Sequence, residues 1–327
     1  MSFFSRVSAL GLAALLSLTA VAAAQNYPNR PIRLVVTFPP GGSTDLLARA
    51  MQPYLEKALG QPIVVENRPG AGGDIGVDVV AKAAPDGHTI GIGAAGALSV
   101  NVSLKDKMPY DVQKDLEPVT LLTAIPFVMV SGPGFPGKTL ADVVKIAKED
   151  PKKLSIGHGG NGTAMHLSSE YFNHLTGVKI PLVPYKGSGP ATQDVVAGHI
   201  PLAIVDIPSS QAMIKDGKIK VLGVTSTKRD NHVPDAPTFI ESGLPGYESI
   251  GWFGLVAPAG TPPDIIKKLN EVFVAAMNDP TVKERIHQGG AEARPTTPAE
   301  FAAFIKKETD KWAEIIKAAG LKEPKQN

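Results

Sequence analysis

The feature that most limits what this chain can fold into is a unit that occurs twice: an apolar strand, a glycine-rich loop, then a helical repeat. In the first copy, Ile32 to Phe38 is a β-branched run bounded by Pro31 and Pro39. The loop Pro39-Pro40-Gly41-Gly42-Ser43-Thr44-Asp45 follows, and Leu46 to Leu59 then repeats apolar residues at helical spacing up to Gly60. The second copy has Leu154 to Gly157 as strand, His158 to Thr163 as loop and Ala164 to Thr176 as helix. Strands alternating with helices through short loops predict α/β layers with a mostly parallel sheet.

Elements around the two units extend the pattern. In the first half, strands are predicted at Ile63 to Val65 and His88 to Ile92, with a helix between them that ends near Ala84. Later strands fall at Ile180 to Tyr185, Leu202 to Ile207 and Lys220 to Thr225, and a helix at Pro190 to Ala197. Thr139 opens a helix that stops before Pro151, and three more helices start at Thr261-Pro262, Asp279-Pro280 and Thr297-Pro298-Ala299-Glu300. The last start combines an N-cap, an N1 proline and an N3 carboxylate. Phe301, Phe304, Ile305, Trp312 and Ile316 keep helical spacing and are expected to pack on the first half of the chain.

The apolar run Val119 to Val130, broken by Pro126, is a candidate crossing between two lobes, and the chain is expected to cross back after Gly251. The expected division is residues 26–124 in lobe 1, 125–249 in lobe 2, and 250–327 returning to lobe 1. Two crossings make the layout of a hinged clamshell, with mixed, mostly parallel sheets and flanking helices.

The N-terminus carries Arg6, an apolar run from Val7 to Ala20 and the sequence Val21-Ala22-Ala23-Ala24-Gln25. This is the pattern of a secretory leader cleaved near Ala24, residues 1–24 being removed. The run is short and interrupted by Ser8, Ser17 and Thr19, below spanning length. The expected product is therefore exported. There is no cysteine, so disulfides, thiol chemistry and lipid attachment through a leader cysteine are excluded. Thirty-three basic against 31 acidic residues, without a like-charge block, argue against nucleic acid as partner. An anionic ligand would have to be held locally.

Both glycine loops lie between a strand's carboxyl end and a helix start, where open α/β sheets bind ligands. The free N–H groups of a first helical turn favour an anion. Gly41 and Gly42 let backbone approach a ligand, while Ser43 and Thr44 add hydroxyls; equally, Ser43, Thr44 or Asp45 can merely cap the helix. In the second loop, Asn161 or Thr163 can cap and donate. Two such helix starts facing each other across a hinge would form a carboxylate clamp.

Competing chemistries are less well served. Gly157-x-Gly159-x-x-Gly162 and Gly91-x-Gly93-x-x-Gly96 fit a dinucleotide fingerprint, but the strand after the first ends in Tyr185-Lys186-Gly187, without the acidic residue that a ribose requires. After the second there is little room for the helix. His166, Glu170 and His174 share one helical row, which cannot close a tetrahedron without an outside ligand. Neither a cofactor nor a metal is expected.

Eight motifs in order, from about Tyr27 to Trp312, give the chain a specific resemblance. They are Tyr27-Pro28-x-x-Pro31-Ile32, Phe38-x-Pro40-Gly41-Gly42-x-x-Asp45, Glu66-Asn67-Arg68-Pro69-Gly70-Ala71-Gly72-Gly73 and Pro85-Asp86-Gly87-x-Thr89. The loop Gly157 to Thr163 with His166-Leu167 follows, then Val183-Pro184-Tyr185-Lys186-Gly187, Ala236-Pro237-Thr238 and Ala257-Pro258-Ala259-Gly260-Thr261-Pro262. The chain resembles the periplasmic solute receptors of tripartite tricarboxylate transporters, the Bug family. That resemblance implies a two-lobed periplasmic-binding-protein clamshell (type II-like), located in the periplasm, that closes over a small organic carboxylate (a di- or tricarboxylate or an aromatic acid) and delivers it to membrane permease subunits, without catalysis. A monomer is expected.

Carried over residue by residue, the implied site comprises Phe38 as apolar wall, Gly41, Gly42, Ser43, Thr44 and Asp45, with Ala71 and Gly72 (to Gly73) beside them. The second lobe gives Gly160, Asn161, Gly162, Thr163, Tyr185, Lys186 and Asp206. The Thr163 hydroxyl would donate to a ligand oxygen; Asp206 would accept from the ligand or cap local backbone; Lys186 ranks below the loops as a counter-ion. His158, Thr163 and His88 depart from the family's usual Ser, Ser and Tyr. The rival readings are an exported hydrolase or lyase, for which Ser43, Ser188, His158 and Asp206 are the available parts, and a ligand reporter for a membrane sensor.

Overall fold

The computed structural model describes residues 27–321; the expected leader and the expected cleavage point near Ala24 lie outside the described residues. β1 (Ile32–Val36) is followed by α1 (Ser43–Leu59), β2 (Ile63–Asn67), a single 3₁₀ turn at Ala71–Gly73, α2 (Asp74–Ala81) and β3 (Thr89–Ala94). β1 pairs in parallel with β2 on one side and β3 on the other. Leu47, Met51 and Leu55 of α1 fall on one helical face and pack with Ile32, Leu34 and Val36 in a shared core.

A π-helical turn, Gly96–Val100, and a short α3 (Asn101–Leu104) lead to β4 (Leu116–Ser131), which organises the molecule. Its residues up to Pro126 pair antiparallel with the late strand Ile250–Pro258. From Phe127 onward it changes partners, to strands at Leu202–Asp206 and Lys220–Val224. The expected break at Pro126 is thus a change of partner within one continuous strand. Proline has no N–H for the ladder, so this position suits the handover.

The second sheet is built from α4 (Leu140–Glu149), β5 (Ile156–His158), α5 (Ala164–Thr176), β6 (Leu182–Pro184), α6 (Ser188–Val196), β7 (Leu202–Asp206), α7 (Ile207–Lys215) and β8 (Lys220–Val224). The chain then returns through β9 (Ile250–Pro258) and ends in α8 (Pro263–Asn278), α9 (Pro280–Gln288) and α10 (Pro298–Ala319). Strand order is β2-β1-β3-β9-β4-β7-β5-β6, with β8 also on β4. The antiparallel pairings all involve β4 or β9, whereas β1, β2 and β3 are mutually parallel, as are β5, β6 and β7. The result is two α/β lobes joined by crossing strands.

The capping boxes read at Thr139 and Thr297 are present. On α10, Phe301, Ile305, Trp312 and Ile316 are buried as the spacing required. The helix does more than cover the first lobe, because Trp312 and Ile316 share a cluster with Val100 and Leu104 on one side and with Leu167 of α5 on the other.

Candidate functional site

A cavity of about 360 Å³ lies between the lobes, floored by the crossing strands. α1 presents its N-terminus to it. Its N-cap, Gly42, has no side chain to satisfy the first turn, so the N–H groups of Ser43 and Thr44 have no partner within the helix. Thr44 lines the cavity, and its hydroxyl is fully buried with no hydrogen-bond partner among the described residues. Ser43 Oγ lies 2.8 Å from Ser209 Oγ of α7, a polar contact from lobe to lobe.

Asp45 does not line this cavity; it builds the loop from behind. Its carboxylate accepts from the Gly41 N–H at 2.9 Å, Arg49 Nε at 2.9 Å and Asn67 Nδ2 at 3.1 Å, and Asn67 also donates to the Phe38 carbonyl. Burial raises its pKa, but the bonds from Arg49, Gly41 and Asn67 outweigh that and hold it below the ordinary aspartate value.

In the second lobe the loop amides are spent internally. The Gly160 N–H donates to His158 Nδ1 at 3.2 Å, the Gly162 N–H to His166 Nδ1 at 3.4 Å, and the Thr163 N–H to the Gly160 carbonyl. The Thr163 hydroxyl donates to that same carbonyl at 2.7 Å and accepts from the His166 N–H, so it caps α5 and its one proton is not free for a ligand oxygen. What α5 offers the cavity is its N-cap, Thr163, and its first turn, Ala164 and Met165. His158 is buried and its ring stacks on His166 at 4.8 Å. Burial, then the neighbouring His166, push its pKa down to about 3, so the imidazole is a neutral acceptor. His88 lies elsewhere, edge-on to Tyr27.

A third helix start reaches the cavity, at α6. Its N-cap Gly187 sits at φ 118°, a conformation that favours glycine, and again leaves the first-turn amides without a side-chain cap. A Cβ at Gly187 would stand 3.7 Å from both Phe38 and Pro39, so this turn faces the first-lobe loop directly. Ser188 Oγ donates to Asp206 Oδ2 at 2.7 Å, and Asp206 Oδ1 accepts from the Ser209 N–H at 2.9 Å, capping α7. Both residues line the cavity with their bonding capacity largely committed to each other. The Pro190 start expected for this helix was two residues late, because a glycine cap carries no side-chain signature.

Of the other residues singled out from sequence, Phe38, Gly41, Gly42, Gly72 and Lys186 line this cavity. Ala71, Gly160, Asn161 and Tyr185 line a neighbouring chamber of about 270 Å³ that shares Phe38, Gly72 and Lys186 with the first. Gly162 lines neither. Tyr185 donates its hydroxyl to Asp194 at 2.7 Å; burial, then that bond, push its pKa up to about 12. Lys186 is exposed and makes no ion pair among the described residues. Missed from sequence were the walls: Ile125 and Phe127 on β4, Trp252 and Phe253 on β9, and Met165.

The lobes meet closely beside the cavity. A Cβ at Gly96 would stand 2.5 Å from the Gly162 carbonyl oxygen of the other lobe, so only glycine permits this approach. The dinucleotide fingerprints have no phosphate loop to serve at Gly91, which with Gly93 lies inside β3. His166 Nε2 is 3.7 Å from Glu170, but its Nδ1 is occupied by the loop. Among the described residues, the one group of ligand atoms close enough for an ion is His232, His287 and Glu292 on the surface. There each imidazole is already engaged, His232 with Asp230 at 2.8 Å and the His287 carbonyl at 2.9 Å, and His287 with Glu292 at 2.8 Å.

Residues 47–321 match the model of the tripartite tricarboxylate transporter family receptor. Protein BugT of Bordetella pertussis is 38% identical over 306 residues, which cover 93% of this chain and 94% of that protein. An R. palustris protein solved with adipate superposes with a TM-score of 0.86 at 35% identity, covering 90% of this chain and 98% of its own. MatC from Rhodopseudomonas palustris with bound malate gives 0.85 at 36% identity, covering 89% and 100%. With the fold of these neighbours and a family match over most of its length, the chain belongs to the tripartite tricarboxylate transporter receptors, which are periplasmic solute-binding proteins.

Proposed function

We propose that this receptor captures a small organic carboxylate in the cavity between its lobes and hands it, unaltered, to the permease subunits of a tripartite-type transporter. The observation that carries the reading is the set of three helix starts, α1, α5 and α6, around one cavity, those of α1 and α6 without a side-chain cap, with the orphaned Thr44 hydroxyl among them. Each terminus is equivalent to roughly half a positive charge, which suits a carboxylate oxygen that a nearly neutral protein must hold. Adipate and malate in the R. palustris neighbours belong to the same chemical class. Export through the leader, with cleavage near Ala24, and action as a periplasmic monomer complete the proposal. Lobe limits at residues 26–124, 125–249 and 250–327 are supported by the change of β4 partners at Pro126 and the start of β9 at Ile250.

Binding without catalysis is favoured because no histidine lines the cavity among the described residues, and Ser188 donates to a carboxylate that already caps a helix. A nucleophile needs a base free to take its proton. The test is a thermal-shift series on the leaderless protein with C4 to C6 acids, aromatic acids and neutral sugars. A ligand that binds only the folded state raises Tm with dose. The expected result is a rise confined to carboxylates, with the compound recovered intact; a rise with sugars alone, or a consumed ligand, would remove the proposal.

A further inference from the structure

We propose that the ligand is a monocarboxylate carrying an apolar body, aromatic or branched aliphatic, and that a second carboxylate on the same body is rejected. The inference rests on the carboxylate reading above and concerns how many charges the cavity can take. The unengaged donors that line it are the first-turn amides of the three helix starts, the buried Thr44 hydroxyl, and two exposed side chains beside or on α6, Lys186 and Gln193. The wall formed by β4 and β9 offers nothing comparable. Ile125 pairs with Gly251, Ala124 with Trp252 and Thr123 with Phe253, so the backbone groups there are committed to the ladder.

The side chains of that wall are equally closed to an anion. Ile125, Phe127 and Phe253 have no polar atoms, and the Trp252 N–H donates to Glu308 at 3.3 Å. Only two charged side chains line the cavity. Asp206 is bonded to Ser188 and the Ser209 N–H at the helix starts and offers an anion no donor, and Lys186 is exposed at the boundary with the neighbouring chamber. A carboxylate buried on the strand wall would therefore lose its hydration without a partner, which is among the costlier events in binding. An apolar body loses nothing there and gains the burial of its surface.

The experiment is isothermal titration of the leaderless protein with matched pairs: hexanoate against adipate, and 4-methylbenzoate against terephthalate, with hexanamide as the uncharged control. The monoacid of each pair is expected to bind at least about tenfold more tightly than its diacid, and the amide not at all. Equal or tighter binding of the diacids would overturn the proposal, and loss of that excess in Lys186→Ala would place the second carboxylate at Lys186. Failure of every acid would overturn it together with the carboxylate reading, whereas a diacid preference would leave that reading standing.

Discussion

Replacing Thr44 by valine should move stability and affinity in opposite directions. Thr44 lines the cavity, and its hydroxyl is buried without a partner among the described residues, so it carries an uncompensated desolvation cost of about 1–3 kcal/mol. Valine keeps the shape and removes the oxygen. Ligand-free Tm should therefore hold or rise, by about 2 °C per kcal/mol for a chain of this size. In the complex, the wild-type hydroxyl donates to a charged oxygen, a bond of about 1.5–3 kcal/mol. Its loss should weaken binding by about 10- to 150-fold. The assays are calorimetric melting without ligand and isothermal titration with the tightest acid found. A fall in Tm with unchanged affinity would refute the reasoning, because it would mean that the hydroxyl has an internal partner and no ligand.

Thr163→Ala should behave differently: the lost cap of α5 predicts a fall in stability of about 0.5–2 kcal/mol in denaturant melts, with Thr163→Ser restoring it. For His158, the folded pKa of about 3 lies below the ordinary value, so its contribution to stability is complete above about pH 6.5 and drains away as pH falls toward 3. Between pH 6.5 and 4.5 that amounts to about 2–3 kcal/mol, and His158→Asn, which keeps an acceptor for Gly160, should flatten the slope; parallel pH curves would contradict it. Gly96→Ala puts a methyl 2.5 Å from the Gly162 carbonyl oxygen and should hold the lobes apart, seen as a larger radius of gyration with ligand and at least about tenfold weaker binding.

The α/β class and the two strand, loop, helix units could be read from sequence because both rest on local period and turn chemistry, which act within a dozen residues. Pro126 misled for the same reason: taken locally it breaks a strand, whereas in the fold it marks where β4 leaves β9 for β7 and β8. The site was legible where a glycine loop precedes a helix. It was not legible where a polar atom's partner depends on the fold. Asp45 and Thr163 look like ligand contacts or caps in sequence, and only the loop closure shows their hydrogen bonds turned inward. The walls at Ile125, Phe127, Trp252 and Phe253 read as ordinary core, since an apolar strand residue facing a ligand has the same signature as one facing a helix.

The central claim, that a carboxylate sits between the helix starts of the two lobes, is tested most directly by a crystal structure of the leaderless protein with its tightest acid. The account predicts one carboxylate oxygen within hydrogen-bond distance of Thr44 Oγ1 and of first-turn amides from α1 and from α5 or α6, with the body of the ligand against Phe127 and Trp252. A carboxylate bound instead in the neighbouring chamber by Asn161 and Lys186, with Thr44 still unpartnered, would contradict it.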